Sequence, residues 1–191
     1  WFFDTIAIRF QSNKKQPSNS QRIPVNFENL QFEDTVFVES AVLSAQQAAR
    51  AAGLILKDLL FSATVRQKGV NDLVTDADIA AQKAIFDVLT SRFPNCRFLG
   101  EESGLEIGSF AQSDDWIWVV DPLDGTMNYV HKLPNFSVSI ALVRSGQPFV
   151  GVVYDPMVDE MYLAVAGQGA TCNGVPISHS KCQNLDQALV A

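Results

Sequence analysis

The hydrophobic period of the sequence changes once along the chain, and this change constrains the fold more than any other feature. Over residues 33–61 apolar side chains recur on one helical stripe with polar side chains opposite, which predicts a long amphipathic helix. A second helix is predicted over residues 75–93, because Thr75 can cap it and Pro94 ends it. The stripes comprise Val38, Val42, Ala45, Ala49, Ala52, Leu56 and Leu59 in the first helix, and Ile79, Phe86, Leu89 and Phe93 in the second.

After residue 94 the pattern changes to short β-branched and aromatic runs, separated by clusters of Gly, Pro, Asp and Asn. Strands are predicted at residues 116–120, 136–143, 149–154 and 160–165. Asn173-Gly174 marks a tight hairpin turn, and Gly167-Gln-Gly169 is typical of a hairpin bend rather than a phosphate loop. Two helices followed by these strands predict an α+β fold, a layered sandwich with both helices on one face of an antiparallel sheet.

The first thirty residues differ in composition from the rest of the chain. Residues 1–27 carry a net charge of +3 and the remainder −10, and residues 11–21 consist mainly of Gln, Ser, Asn, Lys and Pro. Such a segment buries too little apolar area to offset its ordering entropy. We therefore predict a flexible tail over residues 1–30 and one metal-binding domain portion over residues 31–191. No signal peptide is expected, because Asp4 and Arg9 interrupt the apolar start.

The charge and cysteine content exclude several classes of function. A net charge of −7 would repel a nucleic-acid backbone, so nucleic acid is not an expected partner and a phosphate ligand would need a metal ion. No run of 18 apolar residues is present, so no membrane span is predicted. Three scattered cysteines indicate no disulfide framework, which predicts a reduced, cytoplasmic protein.

The segment 116–131 is the most informative part of the sequence. An apolar strand delivers Asp121 at its end, and Asp124 follows in a turn that Pro122 and Gly125 favour. Two carboxylates about 4 Å apart in a partly dry site would repel each other by about 4 kcal/mol, and a hard divalent cation relieves this repulsion. Mg²⁺ suits these oxygen ligands, whereas zinc does not, since no His or Cys is nearby apart from His131.

A short helix beginning after Gly125 would direct the free amides of Gly125 and Thr126 at an anion beside the metal. A plain surface turn is the alternative, because Asp, Pro and Gly are common turn residues. An EF-hand loop is excluded, since Leu123 would occupy its third position and Lys132 its twelfth.

Two further acidic elements precede this segment. Glu101 or Glu102, after a short predicted strand, can supply another oxygen ligand, although paired glutamates are commonly solvated surface residues. The segment 68–78 begins with Lys68 and ends with Thr75 and Asp78, which also form a capping box without any further chemistry.

Together these three elements resemble the inositol monophosphatase family of Mg²⁺-dependent, lithium-sensitive phosphatases. The resemblance covers residues 40–191 and rests on Gly-Glu-Glu-Ser at 100–103 and Asp-Pro-Leu-Asp-Gly-Thr-Met-Asn-Tyr-Val-His at 121–131. Further matches lie at residues 133–141, 151–156 and 167–174.

The resemblance implies a role for each matching residue. Glu101, Asp121 and the Leu123 carbonyl would hold a first Mg²⁺, and Asp121 with Asp124 would bridge to a second, in a site of two or three ions. Thr126, supported by Asp78, would orient the metal-bound water, so that these two residues and Glu101 are the implied catalytic residues.

The implied substrate site contains Asp124 with the amides of Gly125 and Thr126, while Lys68 and Glu102 lie at its margin. The implied reaction is hydrolysis of a phosphate monoester, foremost myo-inositol 1-phosphate or a related polyol phosphate, by a homodimer. Histidinol phosphate, fructose 1,6-bisphosphate and 3'-phosphoadenosine 5'-phosphate are alternative substrates.

The sequence departs from the family in one respect. The family's third metal carboxylate lies in a Trp-Asp-x-Ala-Ala-Gly motif that is absent from these 191 residues. We therefore expect the amino-terminal portion of an enzyme, with the second half of the fold missing. The alternative is a catalytically inactive or regulatory truncated product that binds metal or a protein partner.

Overall fold

Helix α1 (Phe32–Leu59) spans 28 residues in the computed structural model, which describes residues 32–69, 72–101, 115–179 and 184. The predicted stripe forms its buried face, with Val42 and Leu59 half-buried and the other five members buried. The stripe is rich in alanine, which allows the helix axis to approach its neighbours closely. The tail predicted over residues 1–30 lies outside the described residues.

Helix α2 (Asp76–Arg92) begins at the predicted cap. The Thr75 hydroxyl accepts a hydrogen bond from the Asp78 amide, and the Asp78 carboxylate accepts one from the Thr75 amide at 2.8 Å. Its buried face differs from the predicted one, because Ile79 and Phe86 are exposed. The residues that it buries are Ala77, Asp78, Ala81, Ile85 and Leu89.

Strands β1 (Val65–Gly69) and β2 (Asp72–Thr75) form a separate antiparallel hairpin between the two helices. This hairpin was not predicted from the sequence, since its residues lack a regular alternation of apolar and polar side chains. It leads directly into the α2 cap.

The remaining strands form one seven-stranded sheet in the order in which they occur along the chain. They are β3 (Arg97–Gly100), β4 (Trp116–Asp124), β5 (Ser137–Arg144), β6 (Gln147–Asp155), β7 (Glu160–Val165), β8 (Gly169–Cys172) and β9 (Val175–Ile177), and the short helix α3 (Thr126–Val130) lies between β4 and β5. The four predicted strands are confirmed. The sheet is mixed rather than wholly antiparallel, because β3 and β4 are parallel.

The predicted turns between the last strands are also confirmed. Asn173 and Gly174 both have positive φ angles, of 49° and 79°, and connect β8 to β9. Gly167 lies in the turn between β7 and β8 with a φ angle of 75°, and Gly169 begins β8 with a φ angle of 83°.

Both long helices pack on one face of the sheet, as the layered α+β prediction requires. Helix α1 contacts β5 and β6, and α2 contacts α1 and β4. Alternate strand residues such as Trp118, Val120 and Ile140 belong to this core. Side chains that alternate with these residues along the strands, such as Asp121 after Val120, therefore lie on the opposite face. Within the described ranges, no helix is both long and apolar enough to cross a bilayer.

Candidate active site at the end of strand β4

Strand β4 continues past Asp121 to Asp124, whereas the sequence predicted a turn between these residues. The pairing with β5 is irregular over this stretch: Asp121 is opposite Ser139, and Asp124 is opposite Ser137. The Leu123 amide donates a hydrogen bond of 3.1 Å to the Asp121 carboxylate, as in an Asx-turn. The strand thus bulges here, and the bulge presents two carboxylates at one end of the sheet.

Glu101 lies beside Asp121 because the two residues follow paired positions of parallel strands. Gly100, the last residue of β3, is paired with Val120 in β4. The Glu101 and Asp121 side chains are hydrogen-bonded to each other. Of the two glutamates considered, the structure brings Glu101 to the site, whereas Glu102 lies outside the described residues.

The electrostatics of this pair are unfavourable to a second negative charge. Burial raises the pKa of Asp121 to about 8, with further increases from the charges of Glu101 and Asp124 and a smaller opposing effect from the Leu123 amide. A carboxyl group with so high a pKa is mostly protonated at neutral pH. Such a group gains much from a nearby cation, which favours its charged form.

Gly125 connects the bulge to α3 in a conformation that other residues rarely adopt. Its φ angle is 93°, and a Cβ atom there would lie 2.9 Å from the Asn135 carbonyl oxygen. Burial raises the pKa of Asp124, and the neighbouring Gly125 amide partly offsets this increase.

Thr126 begins α3 and lies next to the bulge. Its hydroxyl donates a hydrogen bond of 3.1 Å to the Leu123 carbonyl oxygen, one of the predicted metal ligands. Asp78 is buried, and its carboxylate accepts hydrogen bonds from both the amide and the hydroxyl of Thr75. The backbone of Lys68 is in β1, but its side chain is not among those that the structure describes.

Two residues that the sequence analysis did not identify fix α3 in place. The buried Tyr129 hydroxyl donates a hydrogen bond of 2.8 Å to the Leu56 carbonyl oxygen, and the Lys132 ammonium donates one to the Leu60 carbonyl oxygen. The last carbonyl groups of a helix lack partners within the helix, and these donors satisfy one carbonyl in the last turn of α1 and one directly after it. No sequence signal predicts these contacts, since they join residues more than seventy positions apart.

The donor types at the site suit a hard cation such as Mg²⁺. Glu101, Asp121, Asp124 and the Leu123 carbonyl offer only oxygen atoms. Among the residues described, however, no group of three His, Cys, Asp or Glu side chains is gathered closely enough to hold an ion.

The sequence of this chain is similar to those of known proteins of one family. The sequence profile of the inositol monophosphatase family matches residues 38–191. Inositol monophosphatase 3 of Solanum lycopersicum is 43% identical over 155 residues, which are 81% of this chain and 58% of that protein. Nus factor SuhB of Escherichia coli is 43% identical over 150 residues, which are 77% of this chain and 55% of that protein.

The fold is shared with solved structures as well. The crystal structure of the extragenic suppressor protein suhB from Bartonella henselae superposes with a TM-score of 0.68 at 39% sequence identity. The superposition covers 75% of this chain and 55% of that one. The resemblance noted from the sequence is thereby confirmed, and the chain spans little more than half the length of the relatives that it matches.

The high pKa of Asp121 predicts how stability depends on pH when metal is removed with EDTA. The pKa rises from 3.8 to about 8 on folding, so between these values the folded chain binds more protons than the unfolded chain. The free energy of unfolding should therefore fall as pH rises through this range, by at most about 1.4 kcal/mol per pH unit from this group. Urea unfolding at several pH values should show a smaller fall in the free energy of unfolding for Asp121→Asn than for the wild type. Parallel pH profiles of the two proteins would contradict the high pKa of Asp121.

The Tyr129 hydroxyl predicts a measurable stability contribution. Tyr129→Phe removes the bond to Leu56 and leaves a buried carbonyl unsatisfied, which should lower the free energy of unfolding by about 1 to 2 kcal/mol. Tyr162→Phe is the matched control, because its hydroxyl bonds the exposed Glu160 side chain and should contribute less than about 0.5 kcal/mol. Equal effects of the two substitutions in urea unfolding would show that Tyr129 does not anchor α3.

Proposed function

Because the chain belongs to the inositol monophosphatase family, we propose that it carries the metal- and phosphate-binding part of an enzyme that hydrolyses phosphate monoesters. The observation that carries this proposal is the contact between the Glu101 and Asp121 carboxyl groups, with Asp124 on the same bulge and Thr126 next to it. A fold rarely places two hydrogen-bonded carboxyl groups at a strand end without a use for them, since the arrangement costs stability.

Inositol monophosphatases are generally metal-dependent enzymes. We assign Glu101, Asp121 and the Leu123 carbonyl to one Mg²⁺ and the pair Asp121 and Asp124 to a second. When bound, Mg²⁺ would lower the pKa of a water molecule and neutralise charge on the phosphoryl oxygens. The carboxylates of this chain contribute by holding negative charge in a partly buried place, where it interacts strongly with a cation.

Thr126 is assigned to positioning the attacking water. Its hydroxyl already lies 3.1 Å from the Leu123 carbonyl oxygen, which fixes it beside the proposed ligands. Asp78 is assigned to supporting Thr126, because α3 packs against β2, whose last residue Thr75 holds the Asp78 carboxylate. A threonine hydroxyl can both donate to and accept from a water molecule, so it can orient one lone pair toward phosphorus.

The amides of Gly125 and Thr126 are assigned to the phosphate, together with Asp124 at the substrate site. In the structure the Gly125 amide lies next to the Asp124 carboxylate and lowers the pKa of that group. A phosphate would compete with this carboxylate for the amide, and a cation bound to Asp124 would leave the amide to the phosphate.

The proposed substrate is myo-inositol 1-phosphate or a related polyol phosphate, with Lys68 and Glu102 at the margin of the site and a homodimer as the active form. The curated relatives that are named inositol monophosphatases support an inositol phosphate as the substrate. Histidinol phosphate, fructose 1,6-bisphosphate and 3'-phosphoadenosine 5'-phosphate are the alternatives, since they present the same phosphate monoester to the metal site.

A second candidate function is a regulatory one, in which the chain binds metal or a protein partner without turnover. The similarity to a protein named Nus factor SuhB favours it.

The test of the proposed function is phosphate release with Mg²⁺ and with EDTA, over the panel of four substrates named above. The protein should be extended through the Trp-Asp-containing part of the family fold, because these 191 residues span only part of the relatives' length. Release from inositol 1-phosphate that EDTA abolishes is the expected result. Saturable Mg²⁺ binding without release from any of the four substrates would favour the regulatory function.

Thr126 gives a sharper prediction for the same extended protein. Thr126→Ala should lower kcat by about 10²-fold or more with little change in stability, because the hydroxyl acts mainly in the transition state. Thr90→Ala is the matched control, since the Thr90 hydroxyl also donates to a carbonyl oxygen but does so on helix α2. If Thr126→Ala turns over at nearly the wild-type rate, its hydroxyl serves only the turn.

A further inference from the structure

The hydroxyl of Ser139 is buried without an evident partner. Ser139 has no exposed surface, and among the described residues its Oγ atom has no hydrogen-bond partner. Nearly all buried hydroxyl groups in proteins are hydrogen-bonded, because an unpaired one loses its bonds to water without compensation. A buried serine in this state calls for a functional explanation.

The register of the sheet places Ser139 directly opposite Asp121. The two residues are cross-strand partners in the antiparallel pair of β4 and β5. The neighbours Val138 and Ile140 belong to the core beneath the helices, so Ser139 is on the other face, as Asp121 is. Cβ atoms of such partners lie about 4.5 to 5.5 Å apart, which is within reach of a hydrogen bond between short side chains.

Two other buried polar atoms lack partners among the described residues, and neither has this placement. The Trp118 indole nitrogen belongs to a side chain of the helix-facing core. The Gln82 amide oxygen packs against Gly100, where it would lie 2.4 Å from a Cβ atom. Ser139 alone of the three shares a face and a register position with a proposed metal ligand.

The Asp121 carboxylate can accept more hydrogen bonds than this state provides. Its Oδ1 atom accepts one from the Leu123 amide, and the side chain also bonds Glu101. An ionised carboxylate has about four acceptor positions. Once Glu101 and Asp121 both bind a cation, they no longer need to share a hydrogen bond, and a position on Asp121 becomes available to a nearby donor.

We propose that Ser139 is a positioning residue for the metal site, whose hydroxyl donates a hydrogen bond to the Asp121 carboxylate when that carboxylate binds Mg²⁺. The inference rests on the proposed function, which makes Asp121 a metal ligand. Groups that bond a metal's ligands fix the orientation of those ligands, and removing such a group commonly weakens metal binding by about 10-fold or more. The hydroxyl thus forms no hydrogen bond with a described residue in the metal-free chain and donates one to Asp121 in the metal-bound chain.

Removal of the hydroxyl tests this proposal. The full 191-residue chain is titrated with Mg²⁺ alone by calorimetry, and its melting temperature is measured in EDTA. Ser139→Ala should raise the Kd for Mg²⁺ by about 10-fold, while its melting temperature in EDTA equals or exceeds that of the wild type. A serine with a merely structural role would lower the melting temperature and leave the Kd unchanged.

Ser44→Ala is the matched control. Ser44 is equally buried, but its hydroxyl donates to the Ser40 carbonyl oxygen on helix α1. This variant should lower the melting temperature in EDTA and keep the wild-type Kd for Mg²⁺. Ser139→Cys serves as the second variant if Ser139→Ala does not fold. Cysteine is close to serine in size, and its thiol is a much weaker hydrogen-bond donor than a hydroxyl. The Kd of Ser139→Cys for Mg²⁺ should therefore also be higher than that of the wild type.

The outcomes separate this proposal from the proposed function. One outcome is that the wild type and Ser139→Ala bind Mg²⁺ with the same Kd, which overturns the role of Ser139 while the metal site stands. Ser139→Cys replaces Ser139→Ala in this comparison where the alanine variant does not fold. If the wild type shows no saturable binding of Mg²⁺, the role of Ser139 is overturned together with the metal assignments on which it rests.

Discussion

The parallel pairing of β3 with β4 is the constraint on which the candidate site depends. Because parallel strands run in the same direction, both end at the same edge of the sheet, and Glu101 follows β3 where Asp121 lies in β4. An antiparallel pairing would have separated these residues by the length of a strand. Burial, and after it the charge of Glu101, raises the pKa of Asp121, so the two carboxyl groups meet at a cost in stability.

The opposite neighbour of β4 contributes in a different way. Strand β5 is antiparallel to β4, and their regular register stops at Asp121 and resumes at Asp124. The intervening bulge turns the Leu123 amide toward one aspartate and its carbonyl toward Thr126. One residue of the backbone therefore connects a proposed metal ligand to the residue proposed to position water, which restricts how far either can move.

The helices hold this edge from the side of the core. Tyr129 and Lys132 donate to carbonyl oxygens at the end of α1, and these bonds attach the short helix α3 to the longest one. Five residues make too short a helix to be stable by itself. The position of Thr126 thus depends on the packing of α1, although the two are far apart in the sequence.

The sequence by itself determined the two long helices, most strands of the large sheet and the chemistry of the motif. The period of apolar residues predicted α1, and the capping residues predicted the start of α2. The segments Gly167-Gln-Gly169 and Asn173-Gly174 predicted the turns near β8. Each of these signals is local. The motif at 121–131 identified the family for the same reason, since its residue types are contiguous. Local signals, however, do not state which strands pair or in which direction.

Only the tertiary structure decided the contacts that join distant segments. It selected Glu101 as the neighbour of Asp121, placed Ser139 opposite that aspartate, and brought Tyr129 to the end of α1. It also exposed Ile79 and Phe86, which the apolar pattern had assigned to the buried stripe of α2. These outcomes depend on strand register and helix rotation, which the burial of the whole core fixes and which no short segment of sequence encodes.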